Sequence, residues 1–194
     1  MGREMTKQLA EAGCSVAICD ISEEDMAGTV SAAEALAPQG VRITAFRADV
    51  GKEDQVQAFA DHVRTAHETD HIHLLINNAG IGGGGSFVSD PRESWERTFN
   101  VCWYGVYYNA RAFMPMLIAA DEGHIVNVSS VNGFWASLGP ETPHTAYSAA
   151  KFAVAMGGKV KKAVLSEYAA LQEHVRQHGG FEEAERLYAA PLDS

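Results

Sequence analysis

The sequence predicts an α/β fold in which helices cover both faces of a doubly wound parallel sheet. Short apolar runs, typical of buried strands, recur along the chain, and segments with apolar residues at helical spacing separate them. The chain has 194 residues, and domains commonly have about 100 to 200. We therefore expect a single domain over residues 1–194.

The first half of the chain is expected to alternate between helix and strand. Ser22 followed by Asp25 is a capping-box pattern that opens a helix. Val41 to Phe46 is rich in β-branched residues, which favour strands. The expected elements are a helix with Met5, Leu9 and Ala12 on one face and Gly13 as its cap, a strand at 16–19, a helix from Ser22 to Pro38, a strand at 41–46 and a helix at 53–66.

The second half continues the alternation as far as a last helix. Pro91 suits the first turn of a helix, where a missing N–H costs nothing. The expected elements are a strand at 72–76, a long helix from Pro91 to about Ala119, a strand at 125–128, a loop rich in Gly and Pro, and a helix that begins near Thr145.

After Lys151 the composition changes, because residues 152–194 contain no Ile and no Thr. We expect residues 1–151 to carry the cofactor and catalytic region, and 152–194 to form a divergent helical tail. In that tail His174 and His178 are four residues apart, a spacing that suits a metal site. Since no third ligand accompanies them, a solvated helix face is the preferred interpretation, and no metal is expected.

Charge and hydropathy exclude several classes of partner. The 15 basic and 25 acidic residues give a formal charge of −10, which repels nucleic acid and anionic membranes. No apolar stretch of 18 residues and no leader pattern is present, so no membrane partner is expected. The three cysteines lack the paired spacing of a zinc or redox motif, which favours reduced thiols and a cytoplasmic location.

The strongest local signal is Tyr147-Ser-Ala-Ala-Lys151 in the last predicted helix. Residues i and i+4 of a helix project from one face about 5 to 6 Å apart. A phenol beside an ammonium group is suited to proton transfer. Taken alone, the same spacing also fits an ordinary surface Tyr and Lys.

Three further motifs precede this pair. Asn77-Asn-Ala-Gly80 ends one strand, Asn100 lies on the long helix, and Ile125-Val-Asn-Val-Ser-Ser130 is a strand that ends in hydroxyl groups. In this combination and order, the chain resembles the short-chain dehydrogenase/reductase family over roughly residues 2 to 152. The resemblance implies a Rossmann-like fold and an oxidoreductase that uses a nicotinamide cofactor.

The resemblance also implies a role for each matched catalytic residue. Tyr147 would be the acid/base that exchanges a proton with the substrate oxygen. Lys151 would bind the nicotinamide ribose and favour the phenolate of Tyr147. Ser130 would donate a hydrogen bond to the same substrate oxygen and hold it within hydride reach. Asn100 would hold a water that links Lys151 to solvent.

Asp20 is the residue that bears on the choice of cofactor. It closes the first strand eighteen positions after Gly2, and dinucleotide folds place an acidic residue about 20 positions beyond their glycine motif, where it binds ribose hydroxyls. Such a carboxylate repels a 2′-phosphate, so NAD is preferred over NADP. A helix-capping or solvated aspartate is the alternative interpretation.

The remaining cofactor contacts are implied by the resemblance at other strand ends. Gly2 resembles the third glycine of the family's motif, and Asp49 with Val50 follows the second strand, where the adenine would be contacted. Gly80 would allow close approach of the backbone. The other residues expected at the cofactor are Asn77, Asn78, Ala79, Tyr147 and Lys151.

Two other features leave alternatives open. Glycine accounts for 18 residues, and Gly82 to Gly85 form one run after a strand end, where α/β sheets bind ligands. The run is either a flexible lip of the active site or an inert surface loop. The aromatic residues of the long helix are interpreted as core or subunit contacts rather than as a cage, and they are Trp95, Trp103, Tyr104, Tyr107 and Tyr108.

The spacing of the catalytic serine departs from the family pattern. Ser130 and Tyr147 are 17 positions apart, further than is usual in the family, and Pro140 to His144 look like an insertion. Ser130 is preferred because it directly follows a strand, which can aim its hydroxyl. Ser137 is the alternative.

Both ends of the family's fold are also unmatched. The sequence starts at Met1-Gly2 without the strand and glycine-rich turn that open that fold, and no strand ending in Pro-Gly follows Lys151. Losing a central strand leaves its neighbours with unpaired backbone groups or an altered pairing. We therefore expect an incomplete sheet, with its first and last strands missing or replaced by helix.

Together these features predict an oxidoreductase that transfers a hydride between NAD(P) and a small secondary alcohol or ketone. The family commonly dimerises through its long helix and its Tyr-Lys helix, so a homodimer or homotetramer is expected. Two alternatives follow from the unmatched ends: a catalytically impaired binding or assembly subunit, and a truncated fragment.

Overall fold

The computed structural model of the chain describes residues 1–83, 85–135 and 143–157. The chain divides into two compact units, Met1–Ala155 and Met156–Ser194. All features described below lie in the first unit, apart from the end of the last helix. Ser137, His174 and His178 lie outside the described residues, as does most of the predicted insertion and of the predicted tail.

Helices and strands alternate along the first unit. The elements are α1 (Gly2–Glu11), β1 (Val16–Asp20), α2 (Glu23–Glu34), β2 (Ile43–Arg47), α3 (Glu53–His67), β3 (Leu74–Asn77), α4 (Arg92–Phe99), α5 (Gly105–Ala119), β4 (His124–Asn127) and α6 (Thr145–Gly157). A π-helical turn, Asn100–Tyr104, joins α4 to α5, and a 3₁₀ turn, Val131–Gly133, follows β4.

Local chemistry explains several of these boundaries. The Ser22 hydroxyl accepts a hydrogen bond from the Asp25 N–H at 3.2 Å, which caps α2 as its sequence pattern predicts. Gly13, after α1, has φ +90°, a conformation that favours glycine. Helix α2 ends at Glu34, short of the predicted end at Pro38.

The predicted long helix is not one continuous α-helix. The Gly105 N–H donates to the Asn100 carbonyl oxygen, five residues back, and this widened turn separates α4 from α5. Gly105 packs so closely that a Cβ there would lie 2.9 Å from Cγ2 of Val50. Asn100 therefore occupies a widened turn, which the apolar periodicity of the sequence does not reveal.

The strands form two parallel pairs. Strand β1 pairs with β2, Val16 opposite Ile43, and β3 pairs with β4, Leu74 opposite His124. Among the described residues no strand joins β1 to β3. The predicted incomplete α/β fold is confirmed. Within the described residues, β1 and β3 each pair on one side only, and they do not pair with each other.

The apolar runs at 16–19 and 72–76 predict buried strands, and the structure leaves both only partly buried. Residues 16–19 of β1 are only partly buried, Leu74 in β3 is 40% exposed and Val126 in β4 is 45% exposed. A strand of a parallel sheet becomes fully buried only when neighbouring strands and helices cover it, and here β1 and β3 each have a neighbour on one side.

Two hydrophobic clusters hold the unit together. The larger cluster lies between α3, α5 and the strands, where the Phe59 and Phe113 rings meet edge to face with centroids 5.4 Å apart. The smaller one joins α1, α2 and β2 through Ala10, Ala33 and Ile43. No helix in the described part of the chain is long and apolar enough to cross a membrane.

Candidate active site

Helix α6 carries Tyr147 and Lys151 one turn apart, as their spacing predicts. The Lys151 ammonium nitrogen lies 5.7 Å from the centre of the Tyr147 ring. Lys151 is only 3% exposed, whereas Tyr147 is partly exposed. The pair therefore presents a phenol at the surface and a cation beneath it, which the surface-pair interpretation does not explain.

The backbone of the strand ends fixes the position of the Lys151 ammonium. Its Nζ donates to the Val128 carbonyl oxygen at 2.8 Å, directly after β4. A Cβ at Gly80 would lie 3.4 Å from this Nζ, so glycine leaves room for the ammonium. Sequence reasoning missed Val128, because its carbonyl group acts and no side-chain type marks that role.

The two serines after β4 play different parts. The Ser129 hydroxyl donates to the Lys151 carbonyl oxygen at 3.0 Å, which ties the end of β4 to α6. The Ser130 hydroxyl accepts the Asn132 N–H at 3.2 Å and opens the 3₁₀ turn. As an acceptor in that bond, Ser130 keeps its own proton for a second partner.

An amide pair aligns the ends of β3 and β4. The buried Asn77 side chain donates to the Asn127 amide oxygen at 2.8 Å across the pair. The carboxyl ends of these strands therefore meet at one edge of the sheet, where Asn78 to Gly80 and Val128 to Ser130 leave it. Asn77 serves at least this structural purpose.

Asn78 lies beside the start of α1. A Cβ at Gly2 would come within 3.0 Å of the Asn78 amide nitrogen, so only glycine fits without a shift. The Asn78 amide oxygen is buried and has no hydrogen-bond partner in the described part of the chain. A buried acceptor of this kind usually has a partner, so the position suits a bound donor group.

The two predicted cofactor aspartates lie at the ends of β1 and β2 and accept bonds from their own loops. Oδ1 of the exposed Asp20 accepts the Ser22 N–H at 3.0 Å, and Oδ1 of Asp49 accepts the Gly51 N–H at 2.9 Å. Each bond occupies one lone pair, so the carboxylates can also accept bonds from a ligand. Val50, beside Asp49, is buried and packs against Gly105.

The glycine run leads to the start of the active-site helix. The Gly85 carbonyl oxygen accepts bonds from the Thr145 N–H at 3.2 Å and the Thr145 hydroxyl at 2.7 Å. The Trp95 indole also donates to the Thr145 hydroxyl, at 3.1 Å. Gly84 lies outside the described residues. The end of the run is thus attached two residues before Tyr147, which favours a lip of the site over an inert loop.

The aromatic residues of α4 and α5 form a line rather than a cage. Centroid distances are 5.2 Å from Trp95 to Phe99, 6.0 Å from Phe99 to Tyr104 and 5.7 Å from Tyr104 to Tyr108. Tyr104 and Tyr107 are 39% and 42% exposed. Sequence reasoning omitted Phe99, although its spacing of four from Trp95 signals the contact.

The Cys19 thiol lies near the end of β1, beside Asp20. Burial, followed by the charge of Asp20, raises the pKa of the Cys19 thiol to about 12, so it stays protonated and unreactive at neutral pH. Among the described residues no group of three or more His, Cys, Asp or Glu side chains is arranged to hold a metal ion.

Comparison with known proteins decides the family. The sequence matches the model of the short chain dehydrogenases over residues 1–170. The chain belongs to this family. A relative in Mycobacterium tuberculosis, which carries the name of an oxidoreductase, SadH, is 37% identical over 154 residues, or 79% of this chain. The match covers 52% of SadH, so the chain spans about half the length of this curated relative.

Two solved members of the short-chain dehydrogenase/reductase family share the fold. One, from Burkholderia phymatum in complex with NAD, is 32% identical, with a TM-score of 0.69, and the match covers 92% of this chain and 57% of that one. The other, a metagenomic oxidoreductase in complex with NADP, is 28% identical, with a TM-score of 0.68 and coverages of 91% and 72%. The predicted family and Rossmann-like fold are therefore confirmed.

Proposed function

We propose that this short-chain dehydrogenase moves a hydride between NAD and a secondary alcohol or ketone, with Tyr147 as general acid/base. The observation that carries the proposal is the buried Lys151 ammonium, held by the Val128 carbonyl under the Tyr147 ring. A fixed cation beside a proton-transfer group stabilises the negative charge that develops during the reaction, and more strongly where water is excluded.

The chain's own residues handle the proton. In oxidation, the Tyr147 phenolate takes the proton of the substrate hydroxyl while a hydride leaves the carbon that bears this hydroxyl. In reduction, the Tyr147 phenol returns the proton to the substrate oxygen. The Ser130 hydroxyl donates to the substrate oxygen and orients it. Asn100, in the π-helical turn, is proposed to position a water, and such turns are frequent at functional sites.

The nicotinamide cofactor supplies the hydride acceptor when it is bound. The residues present fit such a group. Asn78, directly after β3, offers a buried amide oxygen that has no hydrogen-bond partner among the described residues. Asp20 would bind the adenosine ribose and disfavour a 2′-phosphate, which is why NAD is proposed over NADP.

Substitution of Tyr147 by phenylalanine tests the mechanism, because it removes only the hydroxyl. We expect Tyr147→Phe to lower kcat about 10²- to 10⁴-fold, the usual contribution of a general acid/base, with little change in NADH binding. The measurement is NADH formation with a panel of secondary alcohols.

Tyr107→Phe is the matched control, since Tyr107 lies exposed on α5 and should keep the wild-type rate. Retention of the wild-type rate by Tyr147→Phe would contradict the proposed role.

One observation favours a second candidate, a binding subunit without catalysis. Strands β1 and β3 do not pair with each other. Asp20 lies at the end of β1 and Asn78 directly follows β3, so the geometry of the proposed cofactor site depends on the distance between these two strands. A chain that melts cooperatively but shows no thermal shift with NADH would support this candidate over the enzyme.

Association of the chain with itself is also proposed. Exposed Tyr104 and Tyr107 continue the aromatic line along α5, and exposed aromatic surface of this kind is enriched at subunit contacts. Light scattering after size exclusion should give the mass of a dimer or tetramer.

A further inference from the structure

The most exposed large apolar side chains lie on the two loops that follow β3 and β4. Among the described residues, every large apolar side chain that is 71% exposed or more belongs to one of these loops, apart from Met1 at the start of the chain. They are Phe87 and Val88 on the loop after β3, and Val131, Phe134 and Trp135 on the loop after β4. Exposed apolar side chains that cluster in this way mark a binding surface.

Both loops also lack charged residues. No Asp, Glu, Lys, Arg or His occurs from Asn78 to Ser89 or from Val128 to Trp135, although charged residues make up 21% of the chain. A charged group of a ligand would meet no opposite charge on either loop, and burying an unpaired charge is costly. The two loops therefore favour an uncharged apolar ligand.

Hydrogen bonds hold Phe87 and Val88 in their exposed positions. Oδ2 of Asp90 accepts the Ser86 N–H at 3.0 Å, and the Ser86 hydroxyl accepts the Val88 N–H at 3.1 Å. The Phe87 ring lies beside the Trp95 ring, with centroids 6.4 Å apart. The loop after β3 therefore presents an apolar surface that Trp95 supports from one side.

The turn after β4 holds its apolar side chains in a similar way. The Val131 carbonyl oxygen accepts the Phe134 N–H at 3.0 Å and the Trp135 N–H at 2.9 Å. Ser130, whose hydroxyl is the proposed contact of the substrate oxygen, opens this turn. Phe134 and Trp135 are therefore fixed on the same short turn as a proposed catalytic residue.

Both loops contact α6, one on each side of Tyr147 along the helix. The Gly85 carbonyl oxygen accepts the Thr145 N–H at 3.2 Å, and a Cβ at Gly133 would lie 2.6 Å from the Lys151 carbonyl oxygen. Between Thr145 and Lys151 the helix rises about 9 Å, at about 1.5 Å per residue. The loops therefore border the partly exposed Tyr147 at a spacing comparable with one substituted ring.

We propose that the substrate carries a bulky uncharged ring, aromatic or alicyclic, which binds between the apolar side chains of these two loops. The ring is attached to the reacting carbon, so this assignment rests on the proposed function and names its substrate class. Phe87 and Val88 border the ring on one side, and Phe134 and Trp135 border it on the other. Aromatic side chains pack well on a ring, edge to face or offset, and the contact removes apolar surface from water.

Acetophenone and acetone form the test pair, because both are methyl ketones and only acetophenone carries a ring. Each is titrated into the whole chain, and the indole N–H signals of the three tryptophans are followed by NMR. We expect acetophenone to shift the Trp135 and Trp95 signals in a saturable way, with little change at Trp103, which lies on neither loop. Acetone at the same concentrations should shift none of them.

Substitutions then locate the ring, with the Trp95 signal as the readout. Trp135→Ala should weaken the binding of acetophenone about tenfold, the effect usual for a large aromatic contact in a binding site. Trp135→Phe keeps a ring and should restore most of the affinity. Leu36→Ala is the matched control, since Leu36 is 42% exposed just after α2, and it should bind acetophenone as the wild type does.

Other outcomes overturn the inference. Equal shifts of all three indole signals, or equal binding of acetone, would mean non-specific contact. Unchanged affinity in Trp135→Ala would place the ring elsewhere. A Trp135 shift that depends on protein concentration without ketone would identify a second copy of the chain as the occupant.

These binding measurements need no turnover, so they separate this inference from the proposed function. Saturable binding that depends on Trp135, without oxidation of NADH, would remove the proposed function and leave the ring site standing. Turnover of acetone as efficient as that of acetophenone would support the proposed function and refute the ring site.

Discussion

At the scale of single residues, the burial of Lys151 determines how the Tyr147–Lys151 pair is arranged. A buried ammonium is costly unless it is hydrogen-bonded, and the Val128 carbonyl meets that need at 2.8 Å. The sequence spacing of four predicted that Tyr147 and Lys151 share a helix face. It could not predict that Lys151 is 3% exposed, because burial depends on how the strand ends pack over α6.

Asp20 tests the proposed cofactor preference at the same scale. Asp20→Asn removes the charge and keeps an oxygen that can accept the Ser22 N–H. We expect the ratio of kcat/KM for NADP to that for NAD to rise about tenfold, equivalent to about 1.4 kcal/mol of relieved repulsion. The measurement is the initial rate with each cofactor.

The matched control for Asp20 is Asp61→Asn, an exposed carboxylate on α3 that pairs with Arg64, and it should leave the ratio unchanged. An unchanged ratio in Asp20→Asn would leave the NAD preference without support.

At the scale of elements, the contact between the 3₁₀ turn after β4 and helix α6 holds the catalytic pair against the strand ends. A Cβ at Gly133 would overlap the Ser129 hydroxyl and lie 2.6 Å from the Lys151 carbonyl oxygen. Both atoms belong to the hydrogen bond that ties β4 to α6. The sequence located both elements but did not mark Gly133. A side chain is excluded there only because the 3₁₀ turn packs against α6, and this contact belongs to the tertiary structure.

Gly133→Ala should therefore weaken this contact. We expect a loss of about 1 to 3 kcal/mol in the free energy of unfolding, the usual cost of inserting a methyl group into packed surroundings, measured by urea titration. Gly82→Ala is the matched control, because a Cβ there meets no atom of residues 1–83, 85–135 and 143–157 within 4 Å. It should stay within about 0.5 kcal/mol of wild type. Equal stability of the two variants would refute the close packing.

At the scale of the whole molecule, helices rather than a continuous sheet join the two strand pairs within Met1–Ala155. The larger cluster includes Ala48, just after β2, and Leu75 from β3, together with Phe59 of α3 and Phe113 of α5. Since β1 and β3 do not pair, the stability of this unit depends strongly on this cluster.

Phe113→Ala tests that dependence. Phe113 is 2% exposed, and removing a buried phenylalanine usually costs about 3 to 5 kcal/mol. We expect a loss of that size in denaturant unfolding followed by circular dichroism. Phe87→Ala, at a side chain that is 79% exposed, is the control and should change stability little. Similar losses in both variants would mean that the cluster does not join the strand pairs.

The sequence by itself determined the family, the order of helices and strands and the face shared by Tyr147 and Lys151, because these depend on local periodicity and on motifs in a fixed order. Tertiary structure alone decided that β1 and β3 stand apart, that Asn78 faces Gly2 and that Val128 holds the Lys151 ammonium. Each of these depends on where segments separated in the sequence meet in space. The strand edges and the Val128 carbonyl are backbone groups, which are the same at nearly every residue, so no residue type marks where they act.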